Sequence, residues 1–520
     1  MSEENGRQLP PGWAWATLSE YAEIATGTTP RRSDSGYWHG GMIPWVTSTA
    51  VNEPFVRQGN EFVTQLALDE TNLKIYPVHT LIVALYGEGK TRGKVSELLI
   101  DATVNQALGT IRLTGPVAEF RPFVKFYLQS RYENLRRKAA GGMQPNLNLG
   151  ILKTIETPIA PLNEQRRIVA KIEELFSDLD AGVAALERAQ ANLKRYRASV
   201  LKAAVEGSLT AQWREQNPED VEPASELLER ILTERRERWE AEQLATYEAK
   251  GKKPPKGWKD KYKPPAEPDV SKLPELPEGW CWVTVEQVGE VQLGRQRSPK
   301  NRSKEYPTSY LRAANITEEG IDLSDVLDME FTPRELERYR LSKGDIVVSE
   351  ASGSPDQVGK PAVWNDELPK CCFQNTVIRI RPYVVASDYL LVFFKHCYTN
   401  SVFARVAAGV GINHLSAAKF SMIPVALAPL EEQRVLVDEV ESLLSVIRQS
   451  DEILDATAAR SSRLRQAILK RAFEGKLVPQ DPNDEPASEL LERIVADRSQ
   501  SNQPVGRAKR TTKRKVRVTE

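Results

Sequence analysis

Four short stretches of this 520-residue chain occur twice, in the same order. LPPGWAW at 9–15 returns as LPEGWCW at 276–282, and APLNEQR at 160–166 returns as APLEEQR at 428–434. LKAAVEGSL at 201–209 is matched by LKRAFEGKL at 469–477, and EPASELLERI stands letter for letter at 222–231 and 485–494. The offset is 267 or 268 for the first three pairs and 263 for the last, so the second copy has lost five residues late on. Chance composition does not keep four matches in one order, and the chain is a tandem duplication. Its length passes the roughly 250–300 residues at which one core stops growing, so at least two domains are required.

Each copy changes periodicity partway along. Its first part, about 9–150 and 276–425, holds short apolar runs such as LIVALY (81–86) and DIVVSE (345–350), broken by Gly, Pro and Asn. These read as strands of a mixed α/β globule, with helical patches at 121–138 and 386–405. Its second part carries apolar residues in alternating steps of four and three. One series runs Ile168, Ile172, Leu175, Leu179, Gly182, Leu186, Ala189, Leu193, Tyr196, Val200. The other runs Leu436, Val440, Leu443, Ile447, Ser450, Leu454, Thr457, Ser461, Leu464, Ile468. More than four heptads in a shared register predict a coiled-coil seam between the two helices; two separate surface helices are the alternative. Between the copies, 250–276 is rich in Pro and Lys and reads as an extended linker, preceded by a charged, solvated helix. The last twenty residues carry seven basic side chains (Arg507, Lys509, Arg510, Lys513, Arg514, Lys515, Arg517) against Glu520. This reads as a disordered tail, suited to unspecific phosphate contact or to solubility.

Charge and chemistry narrow the function. Lys+Arg and Asp+Glu are both 71, so the strongly basic balance of a general nucleic-acid binder is absent and only local patches remain. No apolar run approaches the roughly 18–20 residues of a membrane span, and the polar start MSEENGRQ has no signal-peptide core; a cytoplasmic protein with no membrane role is expected. Cys281, Cys371, Cys372 and Cys397 form no C-x-x-C pair, and His39, His79, His396 and His414 have no metal spacing. Neither a metal site nor a catalytic set is expected. ALYGEGKT (84–91) meets a permissive P-loop pattern, yet Gly93 spoils the helix turn that such a loop must open. The second copy has Pro361 where Thr or Ser should stand. Nucleotide binding through Lys90 is therefore the minor reading.

The same loops suit DNA better, because Gly-rich backbone approaches phosphates closely and long cations reach base edges. Three pairs of segments qualify. GEGKTRGK offers Lys90, Arg92 and Lys94, and its counterpart offers Ser352, Ser354, Gln357 and Lys360. GTTPRR offers Thr29, Arg31 and Arg32, against Arg295, Arg297, Lys300 and Arg302. GGMQPNLN offers Gln144, Asn146 and Asn148, against Asn413 and His414. For any single residue, a solvated loop side chain is an equal reading.

The ordered set LPxGWxW, APLxEQR and LKxAxEGxL resembles the specificity subunit of type I restriction–modification systems, over all but the linker and tail. The resemblance implies an α+β fold: a tandem duplication of an α/β target-recognition domain and a long helix, the two helices pairing as an antiparallel coiled coil. The domains expected are 1–158 and 276–426 for target recognition, 159–249 and 427–497 for the helical spacers, 250–275 for the linker and 498–520 for the tail. Each globule would read one half of a split, asymmetric DNA site. The helices would set the gap and dock partners through Ile168, Ile172, Leu175, Leu179, Leu186 and Leu193, and through Val440, Leu443, Ile447, Leu454, Leu464 and Ile468. The partners implied are double-stranded DNA, two modification (methyltransferase) subunits and restriction subunits. The chain itself would be non-catalytic and bind no cofactor; S-adenosylmethionine, ATP and Mg are implied for the partner subunits. From Ile168 to Val200 a helix spans roughly 48 Å at about 1.5 Å per residue. That exceeds one turn of DNA, about 34–36 Å, and leaves room for unread base pairs between half-sites.

Overall fold

The computed structural model describes residues 8–87, 90–113, 115–140, 146–217, 221–296, 307–350, 358–407 and 414–501. The chain divides into two units, one of residues 1–186 with 456–520 and one of residues 187–455. Each unit holds one globule, and each draws segments from both sequence copies.

In the first unit the main sheet has five strands, ordered Glu23–Thr26, Leu108–Arg112, Leu81–Ala84, Val95–Leu98, Phe55–Val56. Leu81–Ala84 is central and buried at every position, which is why it reads as an unbroken apolar run. Leu81 and Val83 pack beneath Phe120, Val124 and Leu128, while Ile82 and Ala84 face Val46 and Val104 on the other side. The second unit repeats the plan in a four-stranded sheet, ordered Gly289–Leu293, Val377–Pro382, Ile346–Ser349, Pro361–Val363. Ile346 and Val348 lie under Leu390 and Phe394, and Val347 faces Leu311, Trp364 and Phe373. Each globule is thus α+β, and the four strands of the second sheet match the first four of the first, to which Phe55–Val56 is an addition.

The heptad segments form two helices of 44 residues each, Leu162–Val205 and Leu430–Phe473. Each ends where a glycine turns left-handed, Gly207 at φ +70° and Gly475 at φ +66°. There Ser208 N donates to Ala203 O and Lys476 N to Arg471 O, both at 2.9 Å, which satisfies carbonyls the helix can no longer pair. The pairing is antiparallel within each unit. In the second, Gln190 bonds Asp455 and Arg197 bonds Asp451, so one number rises as the other falls. In the first, Ile168 and Ile172 pack with Leu469 and Ala472, and Asp180 pairs with Arg465.

Ile168, Ile172, Val440 and Ile447 are fully buried, and Leu175, Leu179, Leu186, Leu193, Leu443, Leu454 and Ile468 are half-buried. Leu464 departs from the expected seam and stays 45% exposed. The Asp180–Arg465 pair sets Gly182 opposite Leu464, and nothing lies within 4 Å of where a Gly182 side chain would begin.

The repeated motifs converge on one junction in each unit, and they do so crosswise. In the first unit, EPASELL of the second copy lies on the opening of the first. Ala487 N donates to Gly12 O at 2.8 Å, and Ala487, Leu490 and Ile494 enter the core with Leu18 and Tyr21. In the second unit, EPASELL of the first copy does the same. Ala224 N donates to Gly279 O at 2.8 Å, and Ala224, Leu227 and Ile231 join Trp280, Val283 and Val285. The helix Ala224–Ala249, read from sequence as charged and solvated, therefore buries its first turns on the globule that follows it. Nor is 250–276 simply extended. It folds back with short 3₁₀ turns at Trp258–Lys261 and Val270–Lys272, and Trp258 and Tyr262 lie 5.9 and 5.4 Å from Trp239.

A buried glutamate secures each junction by accepting a tryptophan N–H. Trp13 Nε1 donates to Glu164 at 3.0 Å, and Trp280 Nε1 donates to Glu432 at 2.8 Å. Their surroundings then diverge. Glu432 is also bonded by Thr210 and paired with Arg214, whereas Glu164 Oε1 has no hydrogen-bond partner among the described residues. Burial pushes the Glu164 carboxyl above the usual range, the Trp13 bond opposing it. Glu164→Gln should thus cost no more than about 1 kcal/mol, since the amide oxygen still accepts from Trp13. Glu432→Gln should cost about 2–3 kcal/mol, because it strands Arg214. The native Glu164 contribution is lost as pH rises through its raised folded value, so the Gln variant should gain on wild type with increasing pH. Thermal unfolding of both variants between pH 4 and 8 checks the pair; equal losses would contradict the asymmetry.

Candidate nucleic-acid interface

Strand register brings the roots of the candidate loops to one end of each main sheet. In the first globule Thr26 lies opposite Gly109, Ala84 opposite Leu108, and Val83 opposite Val95. The loops that leave Thr26 and Ala84 therefore start from the same end of the sheet. The third loop closes on them where Leu147 N donates to Leu85 O at 3.0 Å. The second globule repeats this through Leu293 opposite Ile378, Ser349 opposite Val377, and Leu415 N donating to Glu350 O at 3.0 Å.

Backbone geometry at the loop roots is shared. Gly93 N donates to Ala84 O at 2.9 Å, and Gly359 N donates to Ser349 O at 2.8 Å. Both glycines sit at left-handed φ, +83° and +87°, a turn that favours glycine. Lys94 and Lys360 follow them at equivalent places. Gly27 and Gly294 are required for another reason: a Cβ would come within 1.7 Å of Val104 O and 2.1 Å of Gln374 O. The first loop of each globule is thereby pinned against the backbone at Val104 or Gln374.

The side chains expected to meet DNA divide into three groups. Arg31 and Lys90 are exposed at the loop edge, and Arg92 and Asn146 are half-buried there. Lys94 Nζ donates to Asn52 Oδ1 at 2.8 Å, and Tyr132 donates to Lys90 O at 2.6 Å, which steadies the loop. His414 is half-exposed beside Glu350, and Lys360 lies at the root of its loop. A second group is engaged within the globule. Arg32 pairs with Glu61 and lies over Trp38 and Trp45, 4.1 and 4.8 Å from the ring centres, and Thr29 bonds Gln106. Arg295 is 7% exposed; it bonds Glu335 at 2.7 Å and Glu330 O, and it covers Phe331. Its charge is committed to strand Leu327–Glu330 and the helix Pro333–Tyr339 that follows it. The third group, Gln144, Arg297, Lys300, Ser354, Gln357 and Asn413, lies outside the described residues, as does the basic tail.

Thr91 leads back into strand Val95–Leu98 rather than into a helix, so the amide cluster of a P-loop is not formed there. Among the described residues no group of three or more His, Cys, Asp or Glu is placed to hold a metal ion. Among them, too, no helix is long and apolar enough to cross a membrane. Sequence reasoning passed over Glu350, a buried carboxylate 3.4 Å from His414; it takes the place of Leu85 in the hydrogen-bond frame at an offset of 265 rather than the 267 or 268 of the repeated words, so the sequence does not set the two opposite each other.

A further apolar groove of about 460 Å³ lies between the long helices of the second unit, lined by Leu193, Tyr196, Ile453 and Leu454. It is a surface on which a partner helix can bury apolar side chains.

Comparison with known proteins agrees with this layout. The family described as "Type I restriction modification DNA specificity domain" matches twice, at residues 10–188 and 277–455. The EcoKI type I restriction enzyme specificity subunit of Escherichia coli (strain K12) is 24% identical over 95% of this chain and 97% of its own length. The StySPI specificity subunit of Salmonella potsdam is 23% identical over 98% of this chain and 100% of its own. A solved chain from work on complex assembly and conformational transition of the type I R-M system aligns with a TM-score of 0.60. It is 18% identical, with 90% of this chain and 100% of that one covered, and it is similar in fold.

Proposed function

Since this chain belongs to the family of type I restriction modification DNA specificity proteins, we propose that its two globules each read one half of a split DNA target. One observation carries the reading: the roots of three loops lie at one end of each sheet on a shared backbone frame but with different side chains. Leu85 and Asn146 in one copy stand where Glu350 and His414 stand in the other. A common frame with different edge chemistry suits two unlike half-sites. We read the chain as a non-catalytic subunit. The antiparallel helices set the gap between half-sites, and the Leu193–Ile453 groove is a docking face for modification subunits, two per complex. Those subunits would supply S-adenosylmethionine and adenine methylation, and restriction subunits would supply ATP- and Mg-dependent cleavage. The near-neutral charge of the chain supports weak DNA binding alone, with partners completing the phosphate clamp.

The test is single-molecule sequencing of adenine methylation in cells expressing this chain with its methyltransferase partner. A split motif that disappears on deletion of this gene is the expected result; no motif despite an expressed partner would overturn the reading. Replacing Lys90, Arg92 and Lys94 together by Ala should reduce methylation at least about tenfold, in line with the loss of several phosphate or base contacts. Unchanged methylation in that variant would remove the loop from the interface.

A further inference from the structure

The correspondence between the copies extends to single hydrogen bonds. Leu85 N donates to Ala107 O at 2.8 Å, and its carbonyl accepts from Leu147 N at 3.0 Å. Glu350 N donates to Thr376 O at 2.9 Å, and its carbonyl accepts from Leu415 N at 3.0 Å. Leu85 and Glu350 are therefore one position, and Asn146 and His414, each preceding the bonded leucine, are another. Both Leu85 and Glu350 are buried, at 2% and 4% exposure. The fold accepts leucine at this place, as the first copy demonstrates, yet the second copy buries a carboxylate there.

Burying a carboxylate costs free energy unless it is paired. Burial raises the Glu350 pKa, and the nearby His414 lowers it. The pairing group is the His414 ring, whose Nε2 lies 3.4 Å from Glu350 Oε1 while half of the side chain remains exposed. A costly polar group where an apolar one suffices, at the root of two candidate DNA loops, marks a functional position.

We propose that Glu350 is a positioning residue for the second half-site: it holds His414 through Nε2, so that the ring's other nitrogen, Nδ1, reads a hydrogen-bonding group on a base edge. The carboxylate fixes which ring nitrogen is occupied within the protein and restricts the ring's rotation. The first copy, with Leu85 and Asn146, lacks this device, which is one physical reason why the halves of the target would differ. The proposal rests on the chain reading DNA at these loops.

The experiment uses the full complex with its methyltransferase partner and reads the methylated motif. Glu350→Leu installs the residue that the first copy carries, so folding should survive, as an unchanged thermal midpoint would verify. The expected result is relaxed preference at one base pair of the second half-site, roughly ten- to a hundredfold, with the first half unchanged. His414→Asn should relax the same base pair. The double variant should be no worse than either single change, since the two side chains act as one unit. Glu350→Gln, which still accepts from Nε2, should retain more of the preference than Glu350→Leu. An unaltered motif in Glu350→Leu, or a uniform loss of methylation at all positions, would overturn the proposal while leaving DNA reading by the chain intact. Absence of any split motif with the wild-type chain would instead overturn the reading on which it rests.

Discussion

Changing Leu490 and Ile494 to aspartate will open the first globule and leave the second folded. Both side chains are buried in the first globule's core although they lie near the far end of the sequence. Burying a leucine or isoleucine contributes roughly 1.5–3 kcal/mol, and an unpaired charge at each site adds to the loss. Together the changes approach the roughly 5–15 kcal/mol that holds a whole domain. The mirror variant, Leu227→Asp with Ile231→Asp, should open the second globule instead, although those residues belong to the first sequence copy. Hydrogen exchange reads both outcomes directly, in the amides of Leu81–Ala84 and of Ile346–Ser349. If each pair of aspartates released the globule of its own copy, the crosswise docking would be wrong.

Exchanging residues 289–423 for those of another family member should replace the second half-site completely and leave the first as it was. The cut points follow from the junction. Helix Val285–Val288 and the ribbon of Cys281–Thr284 paired with Pro424–Leu427 carry the contacts to Ala224, Leu227 and Ile231, so they have to stay with their own chain. Cutting at 276 and 425 instead would split Gly279 and Trp280 from their partners Ala224 and Glu432 and should lower the soluble yield. Methylation at the old target should fall by at least about a thousandfold, the lower end of the usual margin between specific and unspecific DNA binding. Methylome sequencing of the exchanged chain checks this; a motif altered in both halves would show that the globules do not read independently.

Much of this architecture is legible in the sequence because it is built from local signals. The duplication is explicit in repeated words, the helices in their heptads, and the central strands in unbroken apolar runs. The crosswise docking is not legible. EPASELLERI displays a buried stripe of Ala, Leu and Ile, but two identical copies of it give no local clue as to which globule each one covers. The back-folded linker was hidden for a similar reason: Trp258 and Tyr262 find Trp239 only in three dimensions. Loop positions could be read from Gly, Pro and Asn, whereas the fate of each charge could not. Arg295 stands in a run of arginines and lysines, yet Glu335 and Phe331 draw it inward. Glu350 closes the run DIVVSE, and nothing local to it shows that its carboxylate is buried beside His414.

The crosswise junction also sets an order in time. The second unit is one continuous stretch, 187–455, and its docking segment at 224–231 is synthesised before the globule it covers. The first globule has the opposite schedule. Its two-stranded ribbon is complete once Ile159 emerges, but the segment from Ala487 that packs beside Ala14–Thr17 and Leu18–Tyr21 comes last. At about 5–20 residues per second the roughly 330 intervening residues occupy the ribosome for on the order of 15–65 s. Mixed α/β domains commonly fold well within that time. The half of the protein made first is therefore finished last, and while it waits, the bare face around Leu18 and Tyr21 is the surface on which a chaperone would act.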